Sequence, residues 1–280
     1  MAPALVDIGI NLAHDSYDAD REAVVRRAMA AGVRQFVVTG ASVEGTRGAL
    51  ALTHAAPLVM RATAGCHPHH AADLDDAAFE ALAALAADPL AAAVGECGLD
   101  YHRNFSSPAE QRRAFERQLA LAIALGKPLF LHCRDAHRDF MSILRAHAGS
   151  LPPAVLHCFT GTGDELDDCL AFGLFIGITG WICDERRGLH LRGIVGRIPQ
   201  GRLMVETDGP YLLPRDLEPK PASRRNEPMY LPQVARAVAA ARGEDIGTLA
   251  AHTTRTARAF FGLPPLPDDR SRQDHEETAT

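Results

Sequence analysis

Several features that define common protein classes are missing from this sequence of 280 residues. No apolar run approaches the roughly 18 residues that a membrane-spanning helix requires. The first residues show no basic segment ahead of an apolar one, so we expect a cytoplasmic protein with no membrane partner. Six cysteines are present, but no two of them form a C-x-x-C pair. This pattern indicates neither a zinc knuckle nor a disulfide framework.

Nucleotide-binding signatures and an excess of positive charge are missing as well. Neither a G-x-G-x-x-G sequence nor a Walker loop occurs, which removes the usual support for a nucleotide-binding fold. The net charge of −6 argues against a broad basic surface that coats nucleic acid, although a local basic groove remains compatible with it. With 47% hydrophobic residues, the chain can bury a sizeable core. Its length suits a (β/α)₈ barrel of roughly 250 residues.

Apolar runs of strand length alternate with helical patterns along the chain. The runs lie near 4–9, 35–39, 59–65, 91–96, 128–132, 154–157, 174–178 and 203–206. The helical patterns lie near 18–31, 43–55, 75–87, 108–125, 136–148, 164–172, 188–197, 229–241 and 244–260. This alternation favours a closed parallel barrel over an open doubly wound sheet. We therefore predict one α/β domain, a TIM barrel over 1–262, followed by a disordered tail at 263–280.

Side chains of the types that bind metals stand at the ends of separate apolar runs. The residues are Glu96, His132, His157, Glu206 and Asp208. An imidazole or a carboxylate is costly to bury unpaired, so its repeated placement where a strand stops implies convergence on a shared ion. In parallel α/β proteins, ligands and catalytic groups gather at the carboxyl ends of the strands. We therefore expect a metal-dependent active site at that end of a barrel.

Six short motifs follow one another along the chain. They are DIGINL at 7–12, GCHPH at 65–69, GECGLD at 95–100, HCRDA at 132–136, HCFTG at 157–161 and ETDGPYL at 206–212. In composition and order, the motifs resemble the TatD-type metal-dependent deoxyribonucleases, from Asp7 to Gly262. Asn104-Phe105-Ser106 and the stretches 178–181, 183–188 and 224–228 are also similar. The family belongs to the amidohydrolase superfamily of TIM-barrel hydrolases, and its better-described members are magnesium-dependent exonucleases.

The resemblance implies a specific metal site. Its ligands would be Glu96, His132, His157 and Asp208. Carboxylate and imidazole ligands without a thiolate accept Mg²⁺, Mn²⁺ or Zn²⁺, whereas attack of a water on a phosphodiester favours Mg²⁺. Asp208 would orient that water and accept its proton. The family also implies that His67 is in the active site and contacts the substrate phosphate, and the alternative is that GCHPH describes a capped loop.

Other side chains are expected to support the ligands or to bind the substrate. The supporting residues would be Asp7, Asn11, Asp100 and Glu206. The substrate-binding residues would be His67, Arg134, Trp181, Arg187, Lys220 and Arg225. Basic side chains for phosphates beside aromatic rings for bases suit a groove that holds a single strand. The alternative for each arginine is a solvated or ion-paired side chain, and for Trp181 it is packing at the rim of the barrel.

The first strand departs from the family pattern. Most relatives begin with Asp-x-His-x-His, which supplies two metal ligands, but Gly9 and Asn11 occupy the equivalent positions here. Glycine has no side-chain ligand, and an asparagine amide oxygen is a much poorer partner than imidazole for a transition metal. We therefore expect one tightly bound ion and a second that binds weakly or together with the substrate.

The expected function is metal-dependent trimming of DNA from a 3′ end with a preference for single strands, and RNA is a further candidate substrate. Polarity, strand preference and a role in DNA repair or fragment degradation are implied by the resemblance, and we expect a monomer. One alternative is hydrolysis of another ester, such as removal of a D-amino acid from tRNA. Another is a weakly catalytic barrel that acts as a quality-control or binding partner. The retained ligand set Glu96, His132, His157 and Asp208 argues against this last alternative.

Overall fold

Eight parallel strands form one sheet in sequence order over residues 4–266, which are the residues that this computed structural model describes. The strands are β1 Leu5–Ile10, β2 Val33–Val38, β3 Met60–Ala64, β4 Ala91–Asp100, β5 Leu129–Arg134, β6 Ala154–Leu156, β7 Phe175–Ile178 and β8 Leu203–Val205. The α-helices are α1 Arg21–Ala30, α2 Val43–Ala55, α3 Asp76–Ala86, α4 Pro108–Leu125, α5 His137–Ala146, α6 Gly163–Phe172, α7 Leu189–Ile194, α8 Leu231–Arg242 and α9 Ile246–Phe261. The predicted TIM barrel is confirmed.

The barrel closes between β1 and the segment that follows β8. The backbone N–H of Asp208 donates to the carbonyl of Gly9 at 2.8 Å, and that of Asn11 donates to the carbonyl of Gly209 at 2.9 Å. These hydrogen bonds join the carboxyl ends of the first and last strands. Residues near the start of the chain are therefore neighbours of residues two hundred positions later, at the mouth where the predicted ligands lie.

An apolar cluster fills the inside of the barrel. Its strand members are Val6, Ile8, Val37, Ala93, Phe130, Val155 and Met204. Phe260 and Phe261 at the end of α9 belong to the same cluster. The ring of Phe130 lies 6.3 Å from that of Phe261 and stacks on that of His157 at 4.7 Å between ring centres. One phenyl ring thus connects the packed interior to a predicted metal ligand.

Local sequence signals set the ends of helix α4. The Ser107 side chain accepts a hydrogen bond from the Glu110 backbone, and the Glu110 carboxylate accepts one from the Ser107 backbone. Pro108 occupies the first turn, where a missing N–H has no cost. The helix ends at Gly126, whose φ of 61° lies in the left-handed region that glycine adopts easily. The reciprocal hydrogen bonds of Ser107 and Glu110 form a capping box.

Strand β4 is longer than predicted, and this changes the position of Glu96. The strand continues to Asp100, which pairs with Arg134, past a register shift between Gly95 and Cys97. Glu96 therefore lies at an irregularity inside the strand and not at its end. Because a bulge re-aims the side chains around it, this irregularity accounts for the placement of a carboxylate at the mouth of the barrel.

The predicted helix at 188–197 and the predicted tail at 263–280 both differ in part from the structure. The helix predicted at 188–197 consists of α7 followed by a 3₁₀ turn over Val195–Arg197. In the predicted tail at 263–280, Leu263 and Leu266 are buried, whereas 267–280 lies outside the described residues. Residues 1–3 also lie outside them. No helix among the described residues is long and apolar enough to cross a bilayer.

Candidate active site

Three histidine rings converge on one carboxylate oxygen at the carboxyl end of the barrel. Glu96 Oε1 lies 2.7 Å from His157 Nε2, 3.0 Å from His132 Nδ1 and 3.4 Å from His67 Nε2. The Glu96 side chain is 8% exposed and that of His157 is 3% exposed. Such convergence of buried nitrogens on one oxygen is the arrangement that a shared cation would satisfy.

Two of the rings have a carboxylate behind them, on the side away from Glu96. His157 Nδ1 lies 3.4 Å from Glu206 Oε2, and His132 Nε2 lies 3.6 Å from Asp100 Oδ2. In each ring, the other nitrogen is the one that faces Glu96. Metal-binding histidines commonly pair with a carboxylate in this way, because the pairing fixes the ring and leaves the opposite nitrogen for the ion. His132 and His157 therefore fit the role of metal ligands.

His67 is held in a different way. Its Nδ1 accepts a hydrogen bond from the backbone N–H of His69 at 3.1 Å, and burial lowers the pKa of His67 to about 3. A neutral imidazole whose Nδ1 accepts must carry its proton on Nε2, so the nitrogen that faces Glu96 is a donor. His67, Glu96 and His132 could together hold an ion, since their ligand atoms lie within 4.8 Å of one another. The hydrogen bond to Nδ1 instead favours His67 as a donor to a phosphate oxygen.

The charges in this cluster depend on one another. Burial opposes the charged form of His157, but the carboxylates of Glu96 and Glu206 raise its pKa well above 6.5. Burial also opposes ionisation of Glu96, yet the neighbouring imidazoles hold its pKa well below 4.5. The imidazoles and carboxylates of the cluster thus favour each other's charged forms. A cation bound here would compete with the proton for the same ligand atoms.

Glu206 occupies a slot that two glycines leave open. A Cβ atom at Gly9 would lie 2.2 Å from Glu206 Oε2, and one at Gly177 would lie 2.5 Å from Oε1. The same Oε1 accepts a hydrogen bond from the backbone N–H of Cys158 at 2.6 Å. A side chain at either glycine would displace the carboxylate that orients His157. A histidine at position 9 is therefore incompatible with the position that Glu206 occupies in this structure.

Asp208 lies beside the cluster on the segment after β8. Its φ of 55° is uncommon for a residue other than glycine, and its Oδ1 accepts a hydrogen bond from Asn11 Nδ2 at 3.3 Å. Burial, together with the charges of Glu96 and Glu206, raises the pKa of Asp208 to about 7. A carboxylate whose pKa lies near neutral pH is suited to accept a proton during catalysis. Asn11 directs its amide nitrogen to this carboxylate.

Asp7 and Asp100 fix the backbone around the site. Asp7 accepts hydrogen bonds from the backbone N–H of Thr207 at 2.9 Å and from the Thr207 hydroxyl. These hydrogen bonds hold the Thr207 side chain toward Asp7 and away from the Glu96 cluster. Asp100 Oδ1 accepts hydrogen bonds from two backbone amides of the loop after β4, at 2.9 and 2.8 Å. Its Oδ2 lies 2.9 Å from His69 Nε2.

Arg225 does not present a free guanidinium to the substrate, contrary to our prediction. It donates to both carboxylate oxygens of Asp20, at 2.8 and 2.9 Å, and to Glu227 at 2.7 Å. Arg27 binds the same two carboxylates. The guanidinium is already neutralised, and it ties the segment after β8 to the start of α1. Asp20 is distant in sequence, so no local pattern could have revealed this network.

The side chains of the other predicted substrate-binding residues Arg134, Trp181, Arg187 and Lys220 are less occupied by contacts within the protein than that of Arg225. Arg187 is exposed, and its guanidinium carbon lies 5.7 Å from the ring centre of half-buried Trp181. Arg134 ends β5 and makes no side-chain hydrogen bond or ion pair within residues 4–266. Lys220 is exposed and donates to the backbone carbonyl of Arg215. Phe105, near the site, belongs to the Asn104-Phe105-Ser106 stretch that is similar to the family, but it was not predicted as a substrate-binding residue.

Comparison with known proteins identifies the family. A sequence profile described as TatD related DNase matches residues 6–262. The chain belongs to this TatD-related DNase family. Two relatives are each named 3′-5′ ssDNA/RNA exonuclease TatD. The protein from Musicola paradisiaca is 54% identical over 92% of this chain and 98% of its own length. The protein from Pectobacterium carotovorum is 53% identical over 92% of this chain and 100% of its own length.

Solved structures of TatD proteins share the fold. A TatD family hydrolase from Entamoeba histolytica superposes with a TM-score of 0.85 at 24% identity, over 94% of this chain and 100% of that one. A TatD homologue from Escherichia coli K12 gives a TM-score of 0.82 at 26% identity, over 93% and 98%. The family membership predicted from the motifs is confirmed, and the barrel is the one that TatD hydrolases use.

Proposed function

We propose that this TatD-related protein is a metal-dependent 3′-5′ exonuclease that hydrolyses phosphodiester bonds of single-stranded DNA and RNA. The observation that carries the proposal is the convergence of three histidine rings on Glu96 Oε1, in a chain that belongs to a DNase family. The relatives at 53 and 54% identity bear the corresponding name over almost their whole length. We further propose that the protein acts as a cytoplasmic monomer in DNA repair or fragment degradation.

We propose that Glu96, His132, His157 and Asp208 hold the cation. The donor set of carboxylates and imidazoles fits Mg²⁺, with Mn²⁺ and Zn²⁺ as alternatives, and the convergence of His132 and His157 on buried Glu96 supports a bound ion. When bound, a divalent cation neutralises charge on the phosphate oxygens and lowers the pKa of a water.

The protein groups would then divide the work of hydrolysis. Asp208, which lies beside the Glu96 cluster, would accept the proton of the attacking water. His67 would donate its Nε2 proton in a hydrogen bond to a phosphate oxygen, since its Nδ1 is occupied by the backbone of His69. Glu206 would keep the His157 ring in place. In-line attack would form a bond from the water oxygen to phosphorus and break the bond from phosphorus to the 3′ oxygen of the remaining strand. That oxygen would take a proton from solvent, so that one nucleoside 5′-monophosphate is released and the shortened strand ends in a 3′-hydroxyl.

Substrate choice tests this proposal against its main rival. Purified protein with Mg²⁺ should release mononucleotides from a single-stranded oligonucleotide and leave a D-aminoacyl-tRNA ester intact. Both substrates are presented to the same preparation, and product formation is followed over time. Cleavage of the tRNA ester with an intact oligonucleotide would replace the nuclease proposal with the deacylase alternative. Inertness toward both substrates would favour a binding role.

Metal stoichiometry should reflect the residues at the end of β1. Gly9 offers no ligand atom, and the Asn11 amide nitrogen donates to Asp208, so the histidine pair of other family members has no replacement there. Metal analysis of dialysed protein, or calorimetric titration, should therefore find one tightly bound ion per chain without substrate. Two tightly bound ions would show that other groups complete a second site.

Two arginines make a matched pair for separating substrate binding from structure. Arg187→Ala should weaken oligonucleotide binding and reduce the slope of log affinity against log salt by about 0.7, as expected for one lost phosphate contact on a single strand. Its thermal stability should be unchanged, because Arg187 is exposed. Arg225→Ala should instead lower the melting temperature by several degrees, since it removes one of the two arginines that bind Asp20 and Glu227 and breaks the link from the segment after β8 to the start of α1. Its salt slope should equal that of the wild type.

Salt-dependent binding and thermal melts of both variants provide the measurement. If the Arg225 variant shows a weaker salt dependence of oligonucleotide affinity and an unchanged melting temperature, Arg225 contacts the substrate after all. A destabilised Arg187 variant with unchanged binding would mean that Arg187 supports Trp181 and does not contact phosphate.

A further inference from the structure

Phe105 is an apolar ring that faces solvent at the catalytic end of the barrel. It is 68% exposed, which makes it the most exposed large hydrophobic side chain among the described residues. It lies in the loop that follows β4, the strand that carries Glu96. A single exposed hydrophobic residue is common on protein surfaces and needs no explanation by itself. Phe105 differs from such a residue in two ways, because its loop is anchored by hydrogen bonds and its ring contacts a histidine next to the candidate metal site.

The loop holds Phe105 in its exposed position from both sides. Asn104 adopts a left-handed φ of 49°, and its side chain donates to the carbonyl of Tyr101 at 2.7 Å. Ser106 is only 2% exposed, and its hydroxyl donates to the carbonyl of His69 at 3.1 Å while accepting from the backbone N–H of Ala72 at 3.0 Å. Because hydrogen bonds fix both neighbours, the backbone at Phe105 is held in place and the ring stays exposed.

A row of ring contacts leads from Phe105 to the candidate metal site. The centre of the Phe105 ring lies 4.7 Å from that of His69, in an edge-to-face arrangement. The His69 ring centre lies 4.2 Å from that of His67, and His67 Nε2 lies 3.4 Å from Glu96 Oε1. Phe105 is thus two ring contacts from the position proposed for the reacting phosphate. Most of its surface remains available to another flat ring.

We propose that Phe105 stacks on the 3′-terminal nucleobase of the bound strand and so positions the scissile phosphate at the metal site. This inference rests on the proposed exonuclease function. Stacking on an aromatic ring accepts every base, since every base has a π face. An enzyme that shortens a strand one nucleotide at a time requires such tolerance, because each new terminal base differs from the last. A phenyl ring also lacks the hydrogen-bonding groups that would select one base.

The test compares two 5′-labelled oligonucleotides that differ only at the 3′-terminal nucleotide, which either carries its base or is abasic. For the first cleavage step, the wild type should prefer the strand with the base by about 5- to 150-fold in kcat/KM, the range expected for one stacked base. Phe105→Ala should lose most of this preference by slowing cleavage of the strand with the base. Phe105→Trp should retain the preference. Leu58→Ala, which removes a 62% exposed side chain just before β3 at the opposite end of the barrel, should behave as the wild type.

The possible outcomes separate this inference from the proposed function. If the wild type shortens the strand and Phe105→Ala keeps the full preference for the base, stacking by Phe105 is wrong. If Phe105→Ala slows both strands equally, the ring only supports His69, and the inference also fails. A wild type that cleaves neither strand in Mg²⁺ would overturn the exonuclease proposal itself.

Discussion

Replacing Glu96 with glutamine should reduce exonuclease turnover by about 10²-fold or more, the size of effect seen when charge stabilisation of a transition state is removed. The substitution preserves the volume of a buried side chain but removes the negative charge on which the three histidine rings converge. A neutral amide is a weaker ligand for a hard divalent cation. Initial rates on a single-stranded oligonucleotide in saturating Mg²⁺ give the measurement, and calorimetric titration should show weakened metal binding.

Glu116→Gln provides a matched control. Glu116 is exposed on α4, so the same chemical change there should leave both turnover and metal affinity at wild-type values. Circular dichroism and thermal melts should show that both variants are folded. Wild-type turnover by the Glu96 variant would exclude the proposed metal site, whatever the control shows.

Replacing Asp208 with asparagine should also reduce turnover by about 10²- to 10⁴-fold, the range that a positioned general base contributes. The amide cannot accept the proton of the attacking water. Because a base acts in its ionised form, the wild-type rate should rise with pH as Asp208 loses its proton. That ascending limb should be missing from the pH profile of the variant. Its metal affinity should also fall, since Asp208 is one of the four proposed ligands.

Asp76→Asn serves as the control for this substitution. The Asp76 side chain is 95% exposed at the start of α3, where it pairs with Arg117. Its variant should show the wild-type rate and pH profile. An Asp208 variant that keeps the ascending limb at full amplitude would show that a different group accepts the proton.

The barrel could be predicted from the sequence because alternation of apolar runs and helical patterns is a local property. The approximate positions of the strands and helices depend on residues that are close together in the chain. The Ser107–Glu110 capping box at the start of α4 is one example. The continuation of β4 beyond Glu96 could not be predicted in this way. It depends on pairing with β5 as far as Asp100 and Arg134, and hence on a partner strand thirty residues away.

The site was predicted in part for a similar reason. Glu96, His132 and His157 follow separate apolar runs, so parallel strands bring them within hydrogen-bonding distance of one another. The partners of Arg225 could not be inferred, because Asp20 reaches it only after the barrel has closed. The slot for Glu206 was hidden for another reason. A glycine at position 9 appears as a missing ligand in the sequence, and only the folded chain shows which carboxylate fills the space.

The central claim is that the group around Glu96 uses a divalent cation to shorten single strands from the 3′ end. The most direct measurement follows one single-stranded oligonucleotide, labelled at its 5′ end, with the wild type in Mg²⁺, the wild type in excess EDTA, and Glu96→Gln in Mg²⁺. We expect a ladder of progressively shorter labelled strands only for the wild type in Mg²⁺. Early release of a labelled mononucleotide, or a ladder that persists in EDTA or in the Glu96 variant, would contradict the claim.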